Sequence, residues 1–376
     1  MHQHRTGAAA ADRGRVGGGG RQASAHGEEI VTPRTVTVLA AALVVLGAVA
    51  LLAQYDPQPP APGGGLLLPD LGEDLARISQ VSVVGAGSES VATLVRGDDG
   101  SWTVAEKDGY AADVEKVRQT LISLAEARIV EPKTANPDFY DRLGVEDVED
   151  AAAGGVAVML AGSDTPVNVI VGNTEGTSQV YIRGADQAQS FLVDRNPDVG
   201  NETTDWLTTE ILAIPGTRMA RVAVTHPDGE VVTVSKADSE QSNFDVEEIP
   251  PGREVQYASV ANVMGNVLSN LNLQDVEPRT ATDEPVTVTE FVTFDGLVIT
   301  AESVEREDEP WVAFRAEYRP PAEESEADGA DVTAEALDLD QRLSPWRFRI
   351  ASYQFDQMTR RLDDLLRDLP EETADD

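Results

Sequence analysis

Cysteine is absent from the 376-residue chain, lysine and histidine occur four times each, and aromatic residues make up only 5%. Without cysteine there is no disulfide, thiolate nucleophile, zinc–thiolate site, iron–sulfur cluster or lipidated cysteine. The sparse aromatics argue against a stacking platform for bases or sugars. Basic residues are also short, 29 against 66 acids for a net charge of −37, so no stripe exists to neutralise phosphates and no nucleic-acid partner is expected.

Reactive motifs are as scarce. His2, His4 and His26 precede the first apolar run, which leaves His226 alone in the remainder. It stands in His226-Pro227-Asp228-Gly229, read as a solvated hairpin tip rather than a metal or base site. The acidic pairs Glu323-Glu324 and Asp363-Asp364 and the run Asp147–Asp150 are what 66 acids produce by adjacency, so they read as solvated faces. No Asp-x-Asp-x-Asp-Gly loop and no Gly-x-Ser-x-Gly elbow occurs, and Gly17–Gly20 and Gly63–Gly65 lack the strand and Lys-Ser/Thr of a phosphate loop. Trp102, Trp206, Trp311 and Trp346 read as core anchors. No catalytic residue, cofactor-binding residue or metal ligand is assigned, no cofactor is expected, and the chain reads as a protein other than an enzyme.

What the sequence does contain begins with Val36–Ala53, 18 residues whose only polar member is Thr37. As a helix this run spans roughly 27 Å, close to the hydrocarbon thickness of a bilayer. Five arginines precede it and Asp56 follows, which by the positive-inside bias puts the N-terminus in the cytoplasm and the rest outside. The expected location is the inner (cytoplasmic) membrane, single-pass, with a periplasmic or extracytoplasmic C-terminal part. The alternative is a cleaved signal peptide, with Ala48-Val49-Ala50 as the small-residue site. After Tyr55 the chain holds 24 basic and 63 acidic residues, so the outer part is a strongly acidic, solvated body.

A Pro/Gly-rich spacer (56–69) leads into an internal repeat. Val81-Ser82-Val83 answers Val222-Ala223-Val224, Trp102-Thr103-Val104 answers Phe244-Asp245-Val246, and Val130-Glu131-Pro132 answers Val276-Glu277-Pro278, at offsets that drift slowly. Each copy reads as two strands, a short strand at the aromatic position, a helix (Ala112–Arg128; Ala258–Leu273) and then alternating strands. Those are Val156–Leu160, Val167–Val171, Val180–Ile182 and Phe191–Val193 in the first copy, and Val286–Phe294, Leu297–Thr300 and Trp311–Tyr318 in the second. Short helices are expected over Thr204–Leu212 and Tyr353–Leu369, a strand over Trp346–Ile350, and a mobile acidic loop over Ala322–Asp331. The fold class is α+β: one N-terminal transmembrane helix, then a duplicated unit of mostly antiparallel sheet with a packed helix. The domains are 1–34 disordered cytoplasmic leader, 35–55 anchor, 56–69 linker, 70–213 first repeat, 214–369 second repeat and 370–376 acidic tail.

Several stretches together resemble the family called domain of unknown function 4340. They are Asp205-Trp206-Leu207, Ile211–Pro215, Arg221–Gly229, Trp102 with Tyr110–Asp113, Phe139–Val145 and Trp346–Ile350, in that family's order over about 70–369. Val145 stands where the family has leucine. The resemblance implies a membrane-anchored accessory protein of an ABC-type export system with a gliding-motility-like subunit, partnered by an ABC transporter permease or auxiliary subunit and held in the membrane through 36–53. It brings no catalytic residues with it. An independent envelope module that binds a peptide, glycan or lipid is the alternative.

Overall fold

The computed structural model describes residues 64–281, 286–321 and 326–367. The expected anchor and leader lie outside them, and among the described residues no helix is long and apolar enough to cross a membrane. The architecture is α+β, with two nine-stranded sheets paired antiparallel throughout and few helices.

The first sheet holds β1 (Gln80–Val84), β2 (Ser90–Arg96), β3 (Trp102–Val104), β4 (Tyr110–Ala111), β5 (Ile129–Pro132), β6 (Val156–Ala161), β7 (Val167–Glu175), β8 (Gln179–Gly184) and β9 (Ser190–Val193). The second holds β10 (Glu210–Leu212), β11 (Met219–Thr225), β12 (Val231–Ser235), β13 (Asp245–Val246), β14 (Leu271–Pro278), β15 (Thr287–Thr293), β16 (Leu297–Arg306), β17 (Glu309–Tyr318) and β18 (Trp346–Ile350). Across the first sheet the order is β4-β3-β2-β1-β6-β7-β8-β9-β5. Read from its far edge, the second is β13-β12-β11-β15-β16-β17-β18-β14-β10. From β3 to β5 and from β13 to β14 the strands follow one another in the same chain order.

The correspondence continues outside the strands. Residues 64–67 lie along β5, with Gly64 N donating to Ile129 O and Ile129 N to Gly65 O at 2.9 Å each, as β10 lies along β14. A 3-10 turn closes each half, Thr203–Trp206 and Asp363–Leu365, and each is followed by a bridge to the segment that precedes the helix, Ala112↔Leu207 and Val255↔Leu366.

The expected strands all fall inside observed ones, because alternation across a half-buried sheet is a strong signal. Helix α1 (Leu71–Asp74) is a single turn; α2 (Val114–Glu126) matches the first expected helix. Its Asp113 caps the N-terminus by accepting from Lys116 N at 3.0 Å, and Val117, Leu121 and Leu124 face the core.

Four expectations need correction. The second long helix, Ala258–Leu273, is only α3 (Asn262–Asn266) and a 3-10 turn (Val267–Asn270) before the chain becomes β14. Asparagine and valine hold helix weakly, and strand pairing to β10 and β18 claims Leu271 and Leu273. Thr204–Leu212 splits into a 3-10 turn and strand β10, since its threonines suit extended backbone and the β14 edge supplies partners. The acidic segment from Glu326 is the start of α4 (Glu326–Leu343), not a loop, and Val332, Ala336, Leu339 and Leu343 bury it further along. The final helix ends early, as α5 (Ser352–Met358), because Leu365 and Leu366 are drawn into the closing turn.

Within α3, Gly265 sits face-on to Phe244: a Cβ there would lie 2.2 Å from the ring's Cε2. Gly265→Ala is therefore expected to destabilise by about 1–3 kcal/mol despite alanine's better helix propensity. Urea denaturation of Gly265→Ala, Phe244→Ala and the double variant checks this, and the double should cost clearly less than the two singles summed.

One apolar core runs through both halves, from Val81 and Val83 to Phe348 and Ile350. At the seam Tyr110 meets the edge of Trp346 at 5.1 Å, donates its hydroxyl to Thr208 O at 3.2 Å, and lies beside the Lys107–Asp275 ion pair. Burial pushes the Tyr110 phenol up to about 12, against a smaller opposing pull from Arg342. The folded state thus favours the neutral phenol. Its contribution is complete below the ordinary value of 10 and is lost as pH rises from there toward 12. Tyr110→Phe should flatten that alkaline loss, read as denaturation midpoints between pH 9 and 11.5, while costing about 1 kcal/mol at neutral pH.

Candidate functional site

The side chains that carry chemistry elsewhere are structural partners here. His226 is buried, at 6% exposure, which corrects the solvated-tip expectation. The hairpin itself is as expected, with Gly229 at φ +92° and Gly229 N donating to His226 O at 3.0 Å. The C-terminal segment lies over it: His226 Nε2 is 3.3 Å from Arg360 O and Nδ1 is 3.4 Å from Thr287 Oγ1. Arg361 pairs with both Asp228 and Glu230, and Asp228 is held below the ordinary carboxylate value by the Glu230 backbone N–H and then by Arg361.

The acidic clusters resolve the same way. Asp363 pairs with Arg253 at 3.1 Å, Asp364 accepts from Arg361 N at 3.0 Å, and Asp147 pairs with Arg183. Glu323-Glu324 lies outside the described residues. Arg218 joins Asp295 at 2.7 Å to Glu335 at 2.6 Å, and its guanidinium pKa is raised, first by the Glu335 hydrogen bonds. Among the described residues no group of three or more His, Asp or Glu side chains is placed to hold a metal ion. Trp102, Trp206 and Trp311 are buried and Trp346 packs against the core, as anchors do.

The informative contrast is between the outer faces of the two sheets. In the first, Ala157, Ile170, Tyr181 and Leu192 point away from the main core and are covered by Tyr140, Val145 and Val148 of the β5–β6 connection. Arg183, 3% exposed, pins that connection: Nε donates to Val145 O at 2.8 Å, Nη1 to Ala185 O and Gln187 O at 3.0 Å, and the guanidinium lies 4.6 Å from the Tyr140 ring centre. The Phe139–Val145 stretch is thus a lid over one face of a sheet.

Ladder register places the row Val288, Glu302, Ala313, Arg347 of the second sheet where the first has Ala157, Ile170, Arg183, Ser190. Trp311 and Arg349 likewise stand for Tyr181 and Leu192. The equivalent connection spans only 279–286, against 133–155 in the first half. Arg347 still reaches into it, donating to Thr280 O at 3.2 Å. Charged side chains replace the apolar ones: Arg279–Glu302 at 2.6 Å, Arg306–Glu277 at 2.7 Å and Arg319–Glu290 at 3.1 Å, with the Arg306 guanidinium 4.7 Å above the Trp311 ring. Ile170 to Glu302 and Leu192 to Arg349 are the changes expected of a face that meets water. No motif marks this face; the alternation of charge in β15–β18 was its only trace in the sequence.

A family model described as domain of unknown function (DUF4340) matches residues 102–289, half of the chain, from β3 into β15. No curated protein and no solved structure matches.

Proposed function

Because the chain belongs to the DUF4340 family, whose description assigns no activity, we propose that it is a non-catalytic, membrane-tethered scaffold outside the cytoplasm, built from two copies of one unit, that serves as an auxiliary part of an ABC-type export complex. The observation that carries the proposal is the way the chain enters the fold. The segment following the 36–53 run and its Pro/Gly spacer is stitched onto the β5 edge through residues 64–67, with Leu67 buried. A tether fixed to a sheet edge holds the body at a set distance from whatever precedes it. Only residues 56–63 remain as spacer, and eight residues extend at most roughly 25–29 Å. Shape and surface are what such a part supplies, and the described polar groups are spent on holding loops and edges.

Brief crosslinking in cells, mild detergent extraction of the full-length protein and identification of what accompanies it test the proposal. Recovery of an ABC permease or ATPase, lost when 70–369 is deleted with the anchor kept, is the expected result. A preparation free of any transporter component overturns it.

A further inference from the structure

In this fold the outer face of a sheet is where a polypeptide loop lies. The first sheet is covered there by the chain's own 133–155 segment, through Tyr140, Val145 and Val148 with Asp147 on Arg183. The register-equivalent face of the second sheet has a connection of eight residues. Thr300 and Arg315, paired across β16 and β17, stand half-buried and exposed on it, and Arg315 has no ion-pair partner among the described residues. We propose that this face docks a loop of a partner polypeptide, with a carboxylate of that loop on Arg315; the identity of the partner as a transporter subunit rests on the scaffold proposal, and the surface does not.

Charge decides the class of occupant. The chain carries a net −37, yet arginines and glutamates alternate on this face in near balance. A uniform polyanion, or an anionic lipid surface, meets Glu290 and Glu302 as well as the arginines and is repelled by the acidic body around them. A polypeptide that presents both signs satisfies the rows together, and an arginine-shielded tryptophan, Arg306 over Trp311, is the residue pair that most often anchors such contacts.

The test places the photocrosslinker p-benzoylphenylalanine at Thr300 in the full-length protein in its own membrane. Met159, the register equivalent on the first sheet, is the control position. The expected result is an adduct between Thr300 and a second polypeptide, absent from Met159, whose crosslinked peptide contains Asp or Glu. Arg315→Glu should lower the yield about tenfold while leaving the thermal midpoint unchanged. The swap of Arg349→Glu with Glu309→Arg, which keeps that ion pair, should lower it as well. No adduct, an adduct only with another copy of this chain or with lipid, or a yield indifferent to Arg315→Glu overturns the inference. An adduct to a protein unrelated to transport keeps this surface and removes the exporter proposal. A co-purifying permease without a Thr300 adduct does the reverse.

Discussion

Arg183→Ala is expected to destabilise the protein by about 3–5 kcal/mol and to release the loop over the first sheet. The side chain is nearly inaccessible, and its guanidinium is shared among the carbonyls of Val145, Ala185 and Gln187, none of which gains water when it is removed. Those unpaired acceptors carry most of the cost. Asp147 contributes little, because its carboxylate is two-thirds exposed. Tyr140 loses the cation on its ring as well, so the lid has nothing left to hold its middle. Trypsin cleavage at Arg142 should accelerate, together with a fall in thermal midpoint of roughly 10 °C. Arg183→Lys should recover only a small part, since one ammonium cannot reproduce the planar fork. A variant that keeps the wild-type midpoint and stays uncut would show that Tyr140, Val145 and Val148 hold the loop by packing alone.

Trp206→Ala is the second large effect, about 3–5 kcal/mol, with a change in the form of the transition. Trp206 is completely buried where the two halves meet: its carbonyl accepts from Asp113 N at 2.8 Å, Lys116 lies 5.3 Å above its ring, and Leu207 bridges to Ala112. Four residues later the same segment becomes β10 and pairs with β14 of the other half. Truncating it leaves a cavity on the path that couples the two. Calorimetry should resolve the single transition into two, whereas Trp206→Phe, which still fills most of the space, should preserve one. A single lowered peak for the alanine variant would place the coupling elsewhere, at Tyr110, Trp346 and Phe348.

The strands were legible because alternation imposed by a half-buried sheet is local, and the repeat was legible because Val130-Glu131-Pro132 and Val276-Glu277-Pro278 hold the same edge position, β5 and β14. Helix ends were not, because tertiary demands decided them. Leu271 and Leu273 carry a helical stripe's spacing, but the β14 edge had pairing to offer. His226 was misjudged for a related reason: the hairpin chemistry around it is local, while the segment that buries it arrives from 134 residues away. The lid and the open face were the least legible, since Phe139–Val145 and the Arg/Glu alternation of β15–β18 acquire meaning only when the two ladders are laid side by side.

Both sheets are wide enough that a free edge would invite another chain to add a strand. One border of each is a two-residue strand, β4 or β13. The other is closed by the stretch that leads into the same half, 64–67 on β5 and 210–212 on β14. Neither border leaves a long unpaired ladder. For a protein confined to two dimensions, where neighbours collide often and in a fixed orientation, this guards against fibrous assembly and lets copies crowd together as separate molecules.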